Sequence, residues 1–432
     1  MRRLRRASSG AASAGRDAGL AGDSTGHGAA VGVGLGVLAQ PWRAVVRPDG
    51  AVEPPHGATL RWAVVAEDRV HDPATAPTRR QRCIDGTPVV ETSVRVPGGD
   101  VVVTAFAVAD DGGALVLDVE NRSATSVAFA WSRADVVAAR PSSAPPAGGE
   151  LPASWRTLPL AHGSSLRLAL PSGAFDGHVV DARVLDGRVL GTLPEAAQVV
   201  RGWQLQLAGG LRIDLPEPTM DERLRRSRAE ACLGAPADPE AEPERFLLAA
   251  GQRASMRLLD GIRADDVAAA ASLLVGSSRK GAPTPWAAAA LVAASEVLAA
   301  LGDERAATDA RAMAARLGAA APVPDDAPGD DGRFEAWLTR LLAVADGPAG
   351  ARIVRLLPTF SDALRAAWLG ANLSAYQVPT LAGHVGFALR WHGERPALLW
   401  EAPLGVVVTC PGLDPDWSSS EPQGETLLAA PR

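Results

Sequence analysis

The spacing of apolar positions changes twice along the chain, and each change marks a new type of predicted secondary structure. From about residue 30 onward, Val-rich runs such as Val101–Val108 and Leu115–Val119 alternate with turn sequences that contain Asp, Gly and Pro. Many short strands at this spacing are typical of an antiparallel sandwich or barrel. We therefore predict a β-sandwich domain over residues 29–215.

After Pro216, the spacing of apolar residues becomes that of an amphipathic helix. Thr219 and Glu222 match a capping box, so a first helix is predicted to begin there and to run to Leu233. The same criteria predict further helices at about 243–260, 264–275, 285–301, 304–317 and 331–345.

The predicted helix at 285–301 has the clearest boundaries. Thr284 is its predicted N-cap, Pro285 its first helical residue, and Gly302 follows its end. Because the alanine-rich helices follow one another in pairs joined by short loops, we predict a domain of packed α-hairpins over residues 216–349.

A third segment, over residues 350–432, is predicted to be β-rich and to pack back on the rest of the fold. It includes a short helix near 361–369 and a strand at Gly405–Cys410. The stretch Pro411–Pro422 is rich in Pro, Asp and Ser, and we predict it to be irregular.

Between these elements, a β-hairpin is predicted at about 384–402. Apolar Phe387, Leu389 and Trp391 alternate with Ala388, Arg390 and His392, and Gly393-Glu394 can form the turn. Two interpretations stay open for its polar and aromatic residues. They form a sugar-contacting face made of Arg390, Trp391, His392 and Glu394, or they are core tryptophans and cross-strand charge pairs at a sheet edge.

Composition limits the remaining classes of function. The net charge is −6, and the one basic block lies within the first six residues, which argues against a nucleic-acid surface. Residues 1–28 are Gly-, Ala- and Ser-rich, and we interpret them as a disordered extension or as the product of an upstream start codon. No apolar segment is long enough to span a membrane.

The three cysteines, Cys83, Cys232 and Cys410, are far apart in the sequence and favour reduced thiols in a cytoplasmic protein. The histidines lack metal-ligand spacing, so we expect no metal site. The glycine-rich run at 31–36 lacks the strand–turn–helix context of a dinucleotide loop, and we expect no cofactor.

Three sequence features accompany the order of a sandwich followed by α-hairpins. They are Val119–Ser123 in a predicted strand, Pro285-Trp286 at a helix start, and the stretch Arg390–Glu401. In these respects the chain resembles the six-hairpin glycosidases, particularly uncharacterised actinobacterial members of that group. The resemblance implies an α+β multidomain fold in which an N-terminal β-sandwich docks on an α/α toroid. The chain has about half the helices of a full toroid, so the toroid would be partial.

Glycosidases of this kind use two carboxyl groups that flank the scissile bond. The predicted helical and C-terminal segments offer Asp260, Asp265, Asp266, Glu296, Glu335 and Asp362. Glu335, close to Trp337, is the best candidate for a catalytic acid, with Trp337 as a substrate-binding ring. The alternative is that Glu335 is a solvated carboxylate in the first turn of its helix. After Trp286, however, Ala287–Ala290 occupy a helix start where polar groups contact the sugar in such proteins.

These observations lead to one preferred function and two alternatives. We expect a glycosidase-like, carbohydrate-associated protein that binds a saccharide without catalysis. The alternatives are an active glycoside hydrolase that uses helix-start carboxylates, and a structural or protein-interaction platform. Whether the chain is an enzyme, and its oligomeric state, stay open at this level.

Overall fold

The protein is a mixed α+β structure with seven α-helices and several antiparallel sheets in the part of the chain that the structure describes. A computed structural model describes residues 32–38, 40, 42–145, 150–174, 189–234, 237–280, 284–318, 327–329, 331–346, 353–358 and 367–430. The predicted disordered extension over residues 1–28 lies outside these ranges.

The first part of the chain forms thirteen described strands. They are β1 (Val33–Gly36), β2 (Arg43–Val46), β3 (Val52–Glu53), β4 (Trp62–Val65), β5 (Val70–His71), β6 (Arg80–Cys83), β7 (Val90–Val96), β8 (Gly99–Val108), β9 (Ala114–Asn121), β10 (Val127–Trp131), β11 (Val137–Ala138), β12 (Arg156–Leu160) and β13 (Ser165–Pro171).

These strands form three antiparallel sheets, with the orders β1-β2-β3, β12-β10-β4-β5 and β11-β13-β9-β8-β7-β6. One hydrophobic cluster combines residues of all three sheets, including the stacked rings of Trp62 and Phe129, whose centroids lie 5.6 Å apart. The side chains of β9 alternate between two clusters, since Leu115 and Leu117 belong to this cluster and Val116 belongs to another.

The second cluster explains a helix that the sequence patterns do not predict, α1 (Ala196–Leu207). The outer face of the six-stranded sheet carries apolar side chains, including Phe106 and Val116, and both are fully buried. Val200 of α1 packs with them and covers that face. The expectation of purely β structure up to residue 215 is therefore wrong at this helix, because a sheet that is apolar on both faces requires a cover on each.

The helical region follows β14 (Arg212–Asp214). Its helices are α2 (Pro218–Leu233), α3 (Pro243–Ser255), α4 (Ala264–Lys280), α5 (Ala287–Ala300), α6 (Glu304–Gly318) and α7 (Asp331–Leu342). Helix α5 packs against α3, α4 and α6, and α7 packs against α2. The predicted helices are confirmed with shifted ends.

The predicted N-caps are wrong for two helices. Helix α2 begins with Pro218 at its first position after the N-cap Glu217, so Thr219 lies inside the first turn. Helix α5 has Trp286 as its N-cap, while the Thr284 hydroxyl donates a hydrogen bond to the buried carboxylate of Glu244. A tertiary acceptor therefore replaces the local capping role that the sequence suggests for Thr284.

The C-terminal strands form two further sheets. They are β15 (Ala343–Asp346), β16 (Ile353–Leu356), β17 (Leu373–Thr380), β18 (Gly383–His392), β19 (Arg395–Glu401), β20 (Val407–Cys410), β21 (Asp414–Ser419) and β22 (Gln423–Leu427). The sheet orders are β14-β17-β18-β19-β22 and β15-β16-β20-β21, and the β16–β20 pair is parallel.

The predicted hairpin is confirmed as β18 and β19, with His392 opposite Arg395 around the Gly393-Glu394 turn. The prediction of an irregular stretch over Pro411–Pro422 is wrong, because β21 lies within it and pairs with β20. Beyond this stretch, β22 pairs with β19. Backbone hydrogen bonds to these partners outweigh the weak strand propensity of the tail. The short helix predicted near 361–369 falls mostly outside the described residues.

A single hydrophobic cluster joins the helices to the C-terminal sheets, with Leu247, Leu291, Leu338 and Phe387 among its members. None of the helices in the described part of the chain combines the length and the apolar character needed to cross a bilayer.

Candidate functional site

A cavity of about 130 Å³ lies between the helices and the C-terminal strands. We call it the helix–sheet cavity. It is lined by residues of α3, α5 and α7, by β15, by the loop before β14, and by the β17–β18 connection. Alanines of α5, among them Ala288 and Ala289, form much of its wall. Within the Ala287–Ala290 run, Ala288 and Ala289 therefore leave space for the cavity, while Ala287 and Ala290 are buried in the core.

Helices α3 and α5 approach closely beside the cavity because Gly251 has no side chain. A Cβ atom at Gly251 would lie only 2.5 Å from Cβ of Ala293, well inside van der Waals contact. Both residues line the cavity. The small-residue contact therefore fixes the spacing of these two helices at the site.

Glu335 lines the cavity, but its carboxylate forms an ion pair with the buried Arg228. Arg228 of α2 donates from Nη2 to Oε1 at 2.7 Å and from Nε to Oε2 at 3.1 Å. The same guanidinium also donates to the carbonyls of Leu207 and Leu211 at 2.8 and 3.0 Å. Both Glu335 oxygens thus accept hydrogen bonds, whereas a general acid of glycoside hydrolysis must donate a proton.

A second carboxylate of the cavity belongs to Glu296 of α5, and it pairs with His384 at the start of β18. His384 Nε2 and Glu296 Oε1 lie 3.2 Å apart, and the His384 side chain is 46% exposed. The hydrogen bond to Glu296 raises the pKa of His384 above its ordinary value, while desolvation and the nearby Arg311 act in the opposite direction. The pair is therefore an exposed, titratable contact between α5 and β18.

The remaining polar lining comes from both sides of the cavity. Gln252 of α3 is 6% exposed, and its Nε2 donates to Ser227 Oγ at 2.7 Å. Arg340 of α7 donates to the carbonyl of Pro285, and burial lowers the pKa of its guanidinium. Acceptors and donors thus occur together around a largely apolar wall, which is typical of small-molecule sites.

An irregularity of β17 brings a further polar residue to the cavity. The register against β18 shifts between Ala375 and Val378, and Gln377 has a φ of +58°. A positive φ in a residue other than glycine costs about 1–2 kcal/mol. Gln377 lines the cavity at this bulge, and bulges of this kind are frequent next to functional sites.

The structure separates the site residues predicted from the sequence into two places. Glu335 lines the cavity, whereas Arg390, Trp391, His392 and Glu394 lie at the far end of the hairpin and do not line it. His384 and His392 mark the two places on β18, and eight residues of strand extend about 27 Å. A single ligand of one ring cannot contact both.

At the hairpin end, His392 and Glu394 are exposed, while Arg390 and Trp391 are half-buried. The Arg390 guanidinium donates to the Leu373 carbonyl at 3.4 Å, and the backbone N–H of Trp391 donates to Asn372 Oδ1 at 3.0 Å. These contacts anchor the strand, and a sugar-contacting role for the hairpin stays a prediction.

Trp337 follows Glu335 on α7 but points into the core. It is 2% exposed and packs on Phe334, with ring centroids 5.7 Å apart. Its indole ring does not line the cavity. The role of Trp337 in substrate binding also stays a prediction.

Sequence reasoning lists Glu296 among several carboxylates but misses Gln252 and His384. Glu296 is a polar residue in a helix made almost wholly of Ala, Leu and Val, and Gln252 follows the apolar stretch Phe246–Ala250 of α3. A polar side chain on the buried face of an apolar helix is the sequence signal that could have found these residues, because such a group requires a hydrogen-bond partner.

Among the described residues, no group of three His, Cys, Asp or Glu side chains is arranged to hold a metal ion.

Comparison with protein-family models and with curated proteins finds no match to this chain.

Proposed function

We propose that the protein binds a single-ring saccharide in the helix–sheet cavity, without catalysing its hydrolysis. The observation that carries this proposal is a cavity of about 130 Å³ that combines alanine walls with Gln252, Glu296 and His384. A cavity of about 150 Å³ accommodates one benzene-sized ring, so a pyranose, which is larger, would place one edge of its ring in this cavity and extend past the exposed His384. The apolar walls suit the C–H faces of a pyranose, and the polar groups suit its hydroxyls.

A six-hairpin architecture forms part of the same proposal. We propose that the first sheets form an N-terminal β-sandwich and that α2–α7 represent a partial α/α toroid. The C-terminal hairpin segment then closes one side of the toroid. In this proposed arrangement the cavity would serve as the ligand site. We also propose a cytoplasmic location.

Monosaccharides should raise the melting temperature at least as much as trisaccharides do, because the cavity has room for one ring at most. Binding to the folded state alone adds about 2.7 kcal/mol at a ligand concentration one hundred times Kd. Thermal-shift measurements against a panel of mono- and trisaccharides test this expectation. A panel without any shift, in an assay that responds to a known sugar-binding protein, would contradict saccharide binding and favour the structural or interaction platform.

A cavity-filling variant shows whether a shift comes from this cavity. Ala289 lines it, so Ala289→Phe should abolish the shift. Ala300 lies exposed on the same helix, and Ala300→Phe provides the matched control that should keep the shift.

Glycoside hydrolysis is the second candidate function, because the carboxylates Glu296 and Glu335 line one cavity. If it is correct, Glu335→Gln should abolish turnover of a saccharide that wild type cleaves. If the protein only binds, wild type shows no turnover of a ligand that shifts its melting temperature.

A further inference from the structure

Gln252 carries an unpartnered polar atom at the cavity. Its Nε2 is held by Ser227 Oγ at 2.7 Å, but its Oε1 is buried, and no hydrogen-bond partner reaches it within the part of the chain that the structure describes. Buried side-chain polar atoms without a partner are few in native proteins, and each requires an explanation.

The neighbouring hydroxyls of the cavity are committed elsewhere. Ser255 Oγ donates to the Gln252 carbonyl at 2.7 Å, and Thr339 Oγ1 donates to the Glu335 carbonyl at 2.8 Å. Each of these hydroxyl protons therefore satisfies a backbone group of its own helix and leaves the Gln252 amide oxygen to another donor.

The position of Gln252 is also fixed by packing. It follows Gly251, whose contact with Ala293 holds α3 against α5, and its own amide is anchored to α2 through Ser227. The side chain is 6% exposed, so bulk water has little access to it. A molecule bound in the cavity can supply the hydrogen-bond donor that this oxygen lacks.

We propose that Gln252 is a specificity-determining residue, whose Oε1 accepts a hydrogen bond from a hydroxyl or N–H group of the bound ring. The cavity then selects a ring that carries a donor over a ring of the same size that carries none. A site built around a buried polar group rejects ligands that leave this group unpaired. This inference rests on the proposed binding function of the cavity.

Two simple probes separate donor recognition from shape. Cyclohexanol has a six-membered ring with an O–H donor, whereas the ring oxygen of tetrahydropyran accepts but cannot donate. We expect wild type to bind cyclohexanol roughly ten- to a hundredfold tighter than tetrahydropyran, measured by ligand-observed NMR titration. Because this comparison uses wild-type protein, it does not depend on the folding of a variant.

A matched pair of variants assigns the preference to one residue. Gln252→Met keeps the length of the side chain and removes the acceptor, so the ratio of the two dissociation constants should fall to about one. Gln206 is half-buried, donates to the Met256 carbonyl at 3.2 Å and does not line the cavity. Gln206→Met should therefore leave the ratio unchanged.

The outcomes distinguish this inference from the function on which it rests. Equal binding of both probes by wild type, or an unchanged preference in Gln252→Met, would overturn the role of Gln252 and leave cavity binding intact. If neither probe nor any monosaccharide binds to wild type, the proposed binding function fails, and the inference fails with it.

Discussion

Arg228 is 1% exposed and lies between Glu335 and two backbone carbonyls, so its charge is balanced almost wholly by protein groups. A buried ion pair adds little net stability over an apolar pair of the same size, since desolvation offsets the attraction. Removal of one partner is much more costly, because the other charge is left buried and unpaired.

We expect Arg228→Met to lower the free energy of unfolding by about 3–5 kcal/mol, as measured by urea denaturation. Arg245, which is 53% exposed and pairs with Glu242 at 2.7 Å, provides the control. Arg245→Met should cost less than about 1 kcal/mol. Equal losses in the two variants would show that Glu335 is not held as a buried charge.

His384 and Glu296 make stability depend on pH. The pKa of His384 is raised in the folded state, so its pairing with Glu296 stabilises the fold fully below the unfolded pKa of about 6.5. This contribution is lost as the pH rises through the higher folded pKa. We expect the difference in melting temperature between wild type and His384→Gln to shrink between about pH 6 and pH 9.

Glu296→Gln offers a second test of this pH dependence, because it removes the other half of the pair. It should produce the same convergence with wild type as His384→Gln does. Parallel pH profiles for wild type and both variants would mean that the pair does not contribute to folding.

At the scale of elements, replacing a glycine by alanine should have opposite effects on stability in two helices. Gly202 lies within α1, and a Cβ atom there would meet no other atom within 4 Å. Gly251 lies within α3, and a Cβ atom there would meet Ala293 at 2.5 Å. Helix propensity favours alanine equally at both positions, so the difference comes from helix packing alone.

Gly202→Ala should raise the free energy of unfolding by about 0.5–1 kcal/mol, because alanine loses less backbone entropy than glycine in a helix. Gly251→Ala should lower it by about 1–3 kcal/mol, because α3 and α5 must separate. Thermal or urea denaturation of the two single variants measures both effects. A stabilised Gly251→Ala protein would show that the contact between the helices is loose.

For the whole molecule, the distribution of buried residues predicts which parts unfold together. Leu291 of α5 and Phe387 of β18 belong to one hydrophobic cluster, although they come from the helical and the C-terminal segments. Phe129 belongs to the separate cluster of the N-terminal sheets. Segments that share a core should lose protection together.

Phe387→Ala should therefore reduce amide hydrogen-exchange protection in α5 as strongly as in β18, and less strongly in β8 and β9. Removal of a buried Phe costs about 3–5 kcal/mol, which is large enough to detect by exchange mass spectrometry. Phe129→Ala provides the reciprocal control. Unchanged protection of α5 in Phe387→Ala would mean that the helices form their own independent core.

Local periodicity in the sequence is sufficient to locate helices α2–α7 and the β18–β19 hairpin, because each pattern is set by neighbours within one or two turns or across one tight turn. The same criteria miss α1 and misplace the caps at Thr219 and Thr284. In these cases a distant partner, such as the outer face of a sheet or the Glu244 carboxylate, outweighs the local preference.

The amino-acid sequence by itself determined the types of most elements and identified Glu335 as a residue of interest. Only the tertiary structure decided that Glu335 meets Arg228 from 107 residues away, and that Gln252, Glu296 and His384 line one cavity. The physical reason is the separation along the sequence over which each interaction acts. Hydrophobic period and turn chemistry act between near neighbours, whereas a cavity and its ion pairs arise where α3, α5, α7 and β18 pack together.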